Sequence, residues 1–221
     1  MNVSDAIKQR KSVRAFLPRE VERSTIEQIL DTARHAPSGG NLQPWQVAVV
    51  SGERKRQLEE RLEQACRSGE PARMAYQYYP LEWPEPYKGR RVTCGLQLYS
   101  ALGIERGDRE RKLDQWAANF RAFDAPVMLF FFIDPTMETG AYVDMGIFLQ
   151  SVMLAAEELG LATCAQAALG EYPEIVKQEL GYGDEQILVC GMALGYEDKG
   201  NVVNGYRTER EGVEAFTRFF D

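Results

Sequence analysis

The chain has one histidine, His35, in 221 residues. That excludes most histidine-dependent nucleophile triads and nearly all multi-histidine metal sites. Four cysteines, Cys66, Cys94, Cys164 and Cys190, are scattered without a C-x-x-C pair, so neither a zinc knuckle nor a disulfide framework is suggested, and they read as reduced thiols. No metal site is expected. Neither G-x-G-x-x-G after a strand nor G-x-x-x-x-G-K-[ST] occurs, so a Rossmann dinucleotide site and a P-loop lack support. A nicotinamide cofactor would visit as a substrate.

Other absences narrow the setting. The first residues, "MNVSDAIKQRKSVRAF", contain no apolar stretch before a small-residue cleavage site, and the expectation is a cytoplasmic protein. The longest apolar-rich run, Ala141 to Leu161, holds Asp144, Glu157 and Glu158, which a membrane span rarely tolerates. No membrane partner is expected. With 26 Lys and Arg against 33 Asp and Glu the net charge is −7, which argues against nucleic acid as a partner.

What is present is an ordinary globular composition, 44% apolar and 27% charged, long enough for one core. We expect a single domain over residues 1–221. Helices and strands alternate along it. A first helix is predicted from Ser4 to Lys11 with Ser4 as cap; a second starts at Ser24, where Ser24 and Glu27 form a capping box, and ends near Pro37. "WQVAVVSG", "APVMLFFFID" and "EQILVCGMALGYE" read as strands, the second buried on both faces. "GAYVDMGIFLQSVMLAAEELGL" reads as a long helix stopped by Gly160, apolar on more than one face. "YPEIVKQELG" reads as a helix with Pro173 in its first turn. Residues 67–90, with four prolines and several aromatics, read as a loop or lid whose aromatics either seal a core or meet a ligand.

Three stretches carry candidate chemistry. "RKSVRAF" sets Arg10, Lys11, Ser12 and Arg14 close together, a plausible anion site or a solvated basic run at a helix end. "HAPSGGNLQPW" offers donors from Ser38, Asn41 and Gln43 beside bare backbone at Gly39 and Gly40, suited to a flat ligand or to a plain helix-to-strand turn. "NGYRTERE" adds Arg207 and Arg210, surface charges unless the tail folds back.

Taken in order, "RKSVRAF", "APSGGNLQPWQVAVV", "GIFLQSVMLAAEELGLAT", "GMALGY" and "RTERE" resemble the FMN-dependent nitroreductase family over most of the chain. The resemblance implies an α+β fold with a central, mainly antiparallel sheet flanked by helices, built as a domain-swapped homodimer with FMN at the subunit interface. It implies that Arg10 and Ser12 hold the phosphate and ribityl end of FMN, with Arg210 and Arg207 joining from the tail and Lys11 among the cofactor-binding residues. Arg14 matches the basic residue near flavin N1 and O2. Pro37, Ser38, Gly39, Asn41 and Gln43 match the segment lining the isoalloxazine from the other subunit, and Gln166 with Ala167 the segment facing N5 and O4. Which of Lys88, Arg90 and Arg91 meets the pyrimidine edge stays open.

The implied activity is reduction of nitroaromatic or quinone-type acceptors by NADH or NADPH in ping-pong fashion, with no side-chain acid or base required. Two alternatives stand beside it. One is a reductive dehalogenase of the iodotyrosine deiodinase type, whose lid would need a carboxylate, a tyrosine and a lysine such as Glu70, Tyr76 and Lys88. The other is a flavin-binding or flavin-handling protein.

Overall fold

A computed structural model describes residues 1–220; Asp221, the end of the expected 1–221 span, lies outside the described residues. Its organising element is strand β2 (Val127–Ile133), every residue of which is buried. Side chains alternate across a strand, and here both sides are apolar. Met128, Phe130 and Phe132 point into one core layer, while Val127, Leu129, Phe131 and Ile133 point into the other. A strand of this kind must be central, with helices on both faces.

The sheet confirms it. Strands β1 (Gln46–Ser51), β2, β3 (Ala162–Gln166) and β4 (Ile187–Gly195) lie in the order β1-β2-β4-β3, and all three pairings are antiparallel. On the Phe130 side, Leu58 and Leu62 of α3 (Gly52–Ser68), Ala117 of α5 (Arg109–Ala117) and Val176 of α7 (Pro173–Leu180) close the core. On the Phe131 side lie Ile26 and Ile29 of α2 (Arg23–Ala33) and Met145, Phe148 and Val152 of α6 (Thr139–Glu158). Two further helices, α1 (Val3–Gln9) and α4 (Tyr87–Ala101), complete the set.

Helix ends depart from expectation where side chains compete. In α1 the cap is Asn2, whose side chain accepts from Asp5 N at 2.9 Å, so Ser4 lies inside the helix and Lys11 beyond it. The predicted Ser24–Glu27 capping box does not form. Helix α2 starts one residue earlier, and the Glu27 carboxylate accepts from Arg23 Nε at 2.7 Å instead of turning back to the backbone. It stops at Ala33, short of Pro37, as the restriction before proline favours. The expected lid is narrower than 67–90, because α3 runs to Ser68 and is ended by Gly69 at φ 75°, and α4 begins at Tyr87. Irregular backbone fills 69–86.

Helix α6 has the length and composition of a membrane span, the one such helix among the described residues. Its Met145, Phe148, Val152 and Ala156 side is instead spent on the core. The opposite side is not: Val143 and Ile147 are exposed, and Gln150 and Leu154 follow on the same face at helical spacing.

Candidate functional site

Both ends of the chain meet along β3. After α1 the backbone runs beside that strand, with a parallel bridge from Ser12 to Thr163 and a hydrogen bond from Val13 N to Thr163 O of 3.0 Å. The tail then returns over the same segment: Leu17 N donates to Tyr196 O at 2.8 Å and Asp198 N to Ala15 O at 3.1 Å. Asn204 fastens the two. Its Oδ1 accepts from Arg14 N at 2.8 Å, and its Nδ2 donates to Ala15 O at 2.8 Å and Asp198 O at 2.9 Å. Nothing in the sequence singled out this buried asparagine; only the return of the tail gives it three partners. Asn204→Ala should lower stability by about 2–4 kcal/mol, because buried backbone groups lose their partners. Urea unfolding would measure it.

The junction encloses a cleft of about 560 Å³ lined by Arg10, Ser12, Arg14, Tyr206, Arg207 and Arg210, with Cys94 of α4 and Gln150 of α6 across from them. Among the described residues, none of Arg10, Arg14, Arg207 or Arg210 has a carboxylate within 4.0 Å, whereas Lys11 is paired with Glu197 at 2.7 Å and donates to Asn204 O at 2.5 Å. Lys11 therefore lines the cleft with its charge already matched. Burial, then the neighbouring Arg210 and Arg207, holds the Arg10 guanidinium below its ordinary range. Like charges gathered with so little compensation make a ready site for an anion. Arg207 has a second task, donating to the carbonyls of Lys8, Gln9 and Arg10, where the last turn of α1 leaves acceptors open. Arg210 folds onto its own loop, donating to Thr208 Oγ1 at 2.8 Å.

The other predicted residues lie outside this cleft within one chain. Gly39 N is held by the carboxylate of Asp144 on α6, at 3.1 and 3.2 Å; an acid inside the apolar first half of the helix is the sequence signal for that anchor. Ser38 Oγ accepts from Gln43 N at 2.9 Å, and Gly40, Asn41 and Gln43 all take positive φ, 56°, 57° and 49°. Pro37 borders a separate groove with His35 and Leu154. Gln166 is buried, its Nε2 bonded to Asn119 O at 2.9 Å, and Ala167 opens a short 3₁₀ turn, Ala167–Gly170. Cys94, Gln150 and Tyr206 were not predicted, since only the folded chain places them opposite Arg10.

The lid is pinned at its root. Arg73 N donates to Glu171 O at 2.8 Å, Tyr172 Oη to Glu70 O at 3.2 Å, and Tyr76 Oη to Val189 O at 2.7 Å. Burial pushes the Glu171 carboxyl up to about 7 from an ordinary 4.5. A raised acid favours the folded state while protonated, so that stability is fully present below the ordinary value and lost as pH rises through the folded one. Glu171→Gln should therefore melt higher than the parent at pH 8 and equally at pH 4, read by thermal scans at both.

An antiparallel sheet between two helical layers, with a basic cleft where both chain ends cross its edge strand, defines an α+β protein whose cleft is suited to an anion. Comparison with known proteins makes this specific. The sequence profile described as "Nitroreductase family" matches residues 7–196. A 4-nitrobenzoate reductase of Pseudomonas putida is 37% identical over 213 residues, covering 96% of this chain and 93% of that protein. Among solved structures, the FMN and NADPH-dependent nitroreductase NfnB from Sphigopyxis sp. strain HMH superimposes with a TM-score of 0.96 at 39% identity over 100% of both chains. The FMN-dependent NfnB of Mycobacterium smegmatis in complex with NADPH gives 0.94 at 36% identity, over 99% of this chain and 97% of that one. The chain belongs to the nitroreductase family.

Proposed function

We propose that this protein is an FMN-dependent oxidoreductase that uses NADPH or NADH to reduce nitroaromatic or quinone-type acceptors. One observation carries the reading: four guanidinium groups from the two ends of the chain share one cleft, and among the described residues no carboxylate lies within 4.0 Å of any of them. That donor set fits a phosphate-bearing cofactor, and the cleft volume lies within the range of small-molecule sites, about 300–1,000 Å³. The relatives' names, 4-nitrobenzoate reductase and FMN and NADPH-dependent nitroreductase, supply the class of acceptor and the cofactor.

In this reading Arg10, Arg210 and Ser12 bind the FMN phosphate and ribityl end, and Arg207 orders the wall they sit on. When bound, FMN would supply the hydride and electron transfer between NAD(P)H and the acceptor. Arg14 places a fixed positive charge at the pyrimidine edge, where it favours the negative charge that gathers there. The Gln166–Ala167 backbone faces the hydride-carrying edge. No chain residue is asked for a proton at a defined atom, in keeping with the single histidine.

We further propose a homodimer, with residues 1–221 as one FMN-binding domain. The exposed Val143 and Ile147 on α6 and Phe216, Phe219 and Phe220 in the tail give apolar surface that a second copy would cover. Pro37, Ser38, Gly39, Asn41 and Gln43 would then reach the cofactor held by the partner. The four free cysteines suit a reducing cytoplasm. The dehalogenase alternative is not favoured, because its lid tyrosine is spent: Tyr76 donates to Val189 O and packs on Tyr142 at 4.8 Å.

The test is direct. Purified protein reconstituted with FMN should be yellow and should oxidise NADPH when 4-nitrobenzoate is added. A preparation that retains no flavin, or one that releases halide from iodotyrosine and ignores nitroarenes, would overturn the reading. Arg14→Ala should keep flavin yet reduce it about tenfold to a hundredfold more slowly, as expected for loss of one electrostatic contact at the reacting ring, measured by stopped-flow.

A further inference from the structure

Between α5 and β2 the chain makes a seven-residue turn, Ala118–Asp124, to which the activity above gives no part. Three successive residues in it, Ala122, Phe123 and Asp124, have φ of 52°, 54° and 61°. None is glycine, and left-handed backbone costs an L-residue about 1–2 kcal/mol each. Such strain persists only where the surroundings over-determine it, and its usual place is a functional site.

The surroundings here are specific. Asp124 accepts from Arg121 Nε at 2.9 Å, and Arg121 Nη1 donates to Glu63 of α3 at 2.6 Å. Ala122 and Phe123 are buried in the core layer beneath. The turn is thereby clamped to a rigid helix.

Its side chains reach two of the expected site segments. The Phe123 ring centre lies 5.9 Å from the guanidinium carbon of Arg14. That guanidinium otherwise makes one bond within its own chain segment, Nη1 to Ser12 O at 3.3 Å. Asn119, in the same turn, receives the Gln166 amide twice, on its carbonyl at 2.9 Å and on Oδ1 at 3.2 Å. Gln166 is 4% exposed, and its Oε1 has no partner among the described residues, so its side chain is held by Asn119 alone.

We propose that the Ala118–Asp124 turn is a positioning element for the flavin site, with Phe123 as the seat of the Arg14 guanidinium and Asn119 as the anchor of the Gln166–Ala167 segment. The proposal rests on the flavin reading above, in which Arg14 and Gln166–Ala167 face two edges of one ring. A single clamped turn would then keep those edges in register. An aromatic face restrains a cation weakly but directionally, and misplacing a charge by an ångström is enough to slow a reaction strongly.

The test uses the FMN-loaded enzyme. Phe123→Leu keeps an apolar side chain and removes the ring face. Its FMN dissociation constant should stay within about threefold of the parent. The rate of flavin reduction by NADPH should fall about tenfold, and the midpoint potential of the bound flavin should become more negative, since reduced flavin loses a well-placed cation. Phe123→Tyr should restore both. Asn119→Ala, a half-buried site far less demanding on folding, removes the Oδ1 half of the Gln166 anchor and keeps the carbonyl half; it should slow reduction by a smaller factor, about threefold, while leaving the potential unchanged, because the seat of Arg14 is intact.

A parent-like rate and potential in Phe123→Leu would overturn the proposal, as would a loss confined to FMN affinity or a failure of Phe123→Tyr to rescue. Should Phe123→Leu not fold, Asn119→Ala decides: reduction at the parent rate overturns the proposal. A parent protein that binds no FMN overturns the flavin reading itself, and that result is distinguishable because it precedes any variant.

Discussion

Arg10→Ala is expected to weaken FMN binding by about tenfold to a hundredfold while leaving the cofactor-free protein no less stable than its parent. The first half follows from the loss of a charge-assisted contact, worth about 1.5–3 kcal/mol when its partner is an anion, with 1.4 kcal/mol per tenfold in affinity. The second half follows from the cleft itself. Arg10 sits beside Arg207 and Arg210 with no carboxylate within 4.0 Å among the described residues, and burial and those neighbours already hold it below its ordinary range. Removing it relieves repulsion in the empty cleft and removes attraction in the loaded one. Titration calorimetry gives the affinity, and thermal scans with and without FMN give the sign reversal. An affinity within twofold of the parent would remove Arg10 from the phosphate site.

Phe148→Ala should have the largest effect on stability, a loss of about 3–5 kcal/mol as for other buried phenylalanines. Phe148 is 2% exposed on α6, stacks on Trp45 at 4.6 Å and 7°, and meets Phe131 edge-on at 6.3 Å. Trp45 follows the Ser38–Gln43 loop after one residue, Pro44. The cavity would therefore open beneath the backbone that the Gly39–Asp144 contact holds in place, and proteolysis between Ser38 and Trp45 should quicken along with the drop in urea midpoint. Phe148→Leu, which refills most of the volume, should recover more than half of the loss. Equal destabilisation by both variants would mean that the stacking on Trp45, rather than the filled volume, holds this layer together.

The strongest local patterns were readable without coordinates. "VMLFFFI" is apolar at every position, so it had to be a strand covered on both faces. The Gly160 and Gly181 stops and the Pro173 start of α7 follow from backbone chemistry alone. The basic "RKSVRAF" offered either an anion site or a solvated basic run, and residue type alone did not choose between them. Less was readable where one side chain had a choice of partners: Glu27 took Arg23 instead of the α2 backbone, and Asn2 displaced Ser4 as a cap. Helix α3 is hard to read in the sequence although Leu58, Leu62 and Ala65 recur at helical spacing, because its charged residues outnumber them.

The sequence by itself determined that this chain folds as helices around a central strand, carries clustered arginine near both ends and has a single histidine, too few for a multi-histidine site. Those properties are local, set by side-chain type and by period. Only the tertiary structure decided that Arg10 and Arg210 share a cleft, that Asn204 ties the tail to residues 14 and 15, and that Ala122, Phe123 and Asp124 turn left-handed beneath Arg14. Ala122 and Phe123 have no preference for that conformation, and only Asp124 is a residue type that tolerates it; it exists because contacts from elements distant in sequence outweigh its local cost, and such contacts form only when the whole chain has folded.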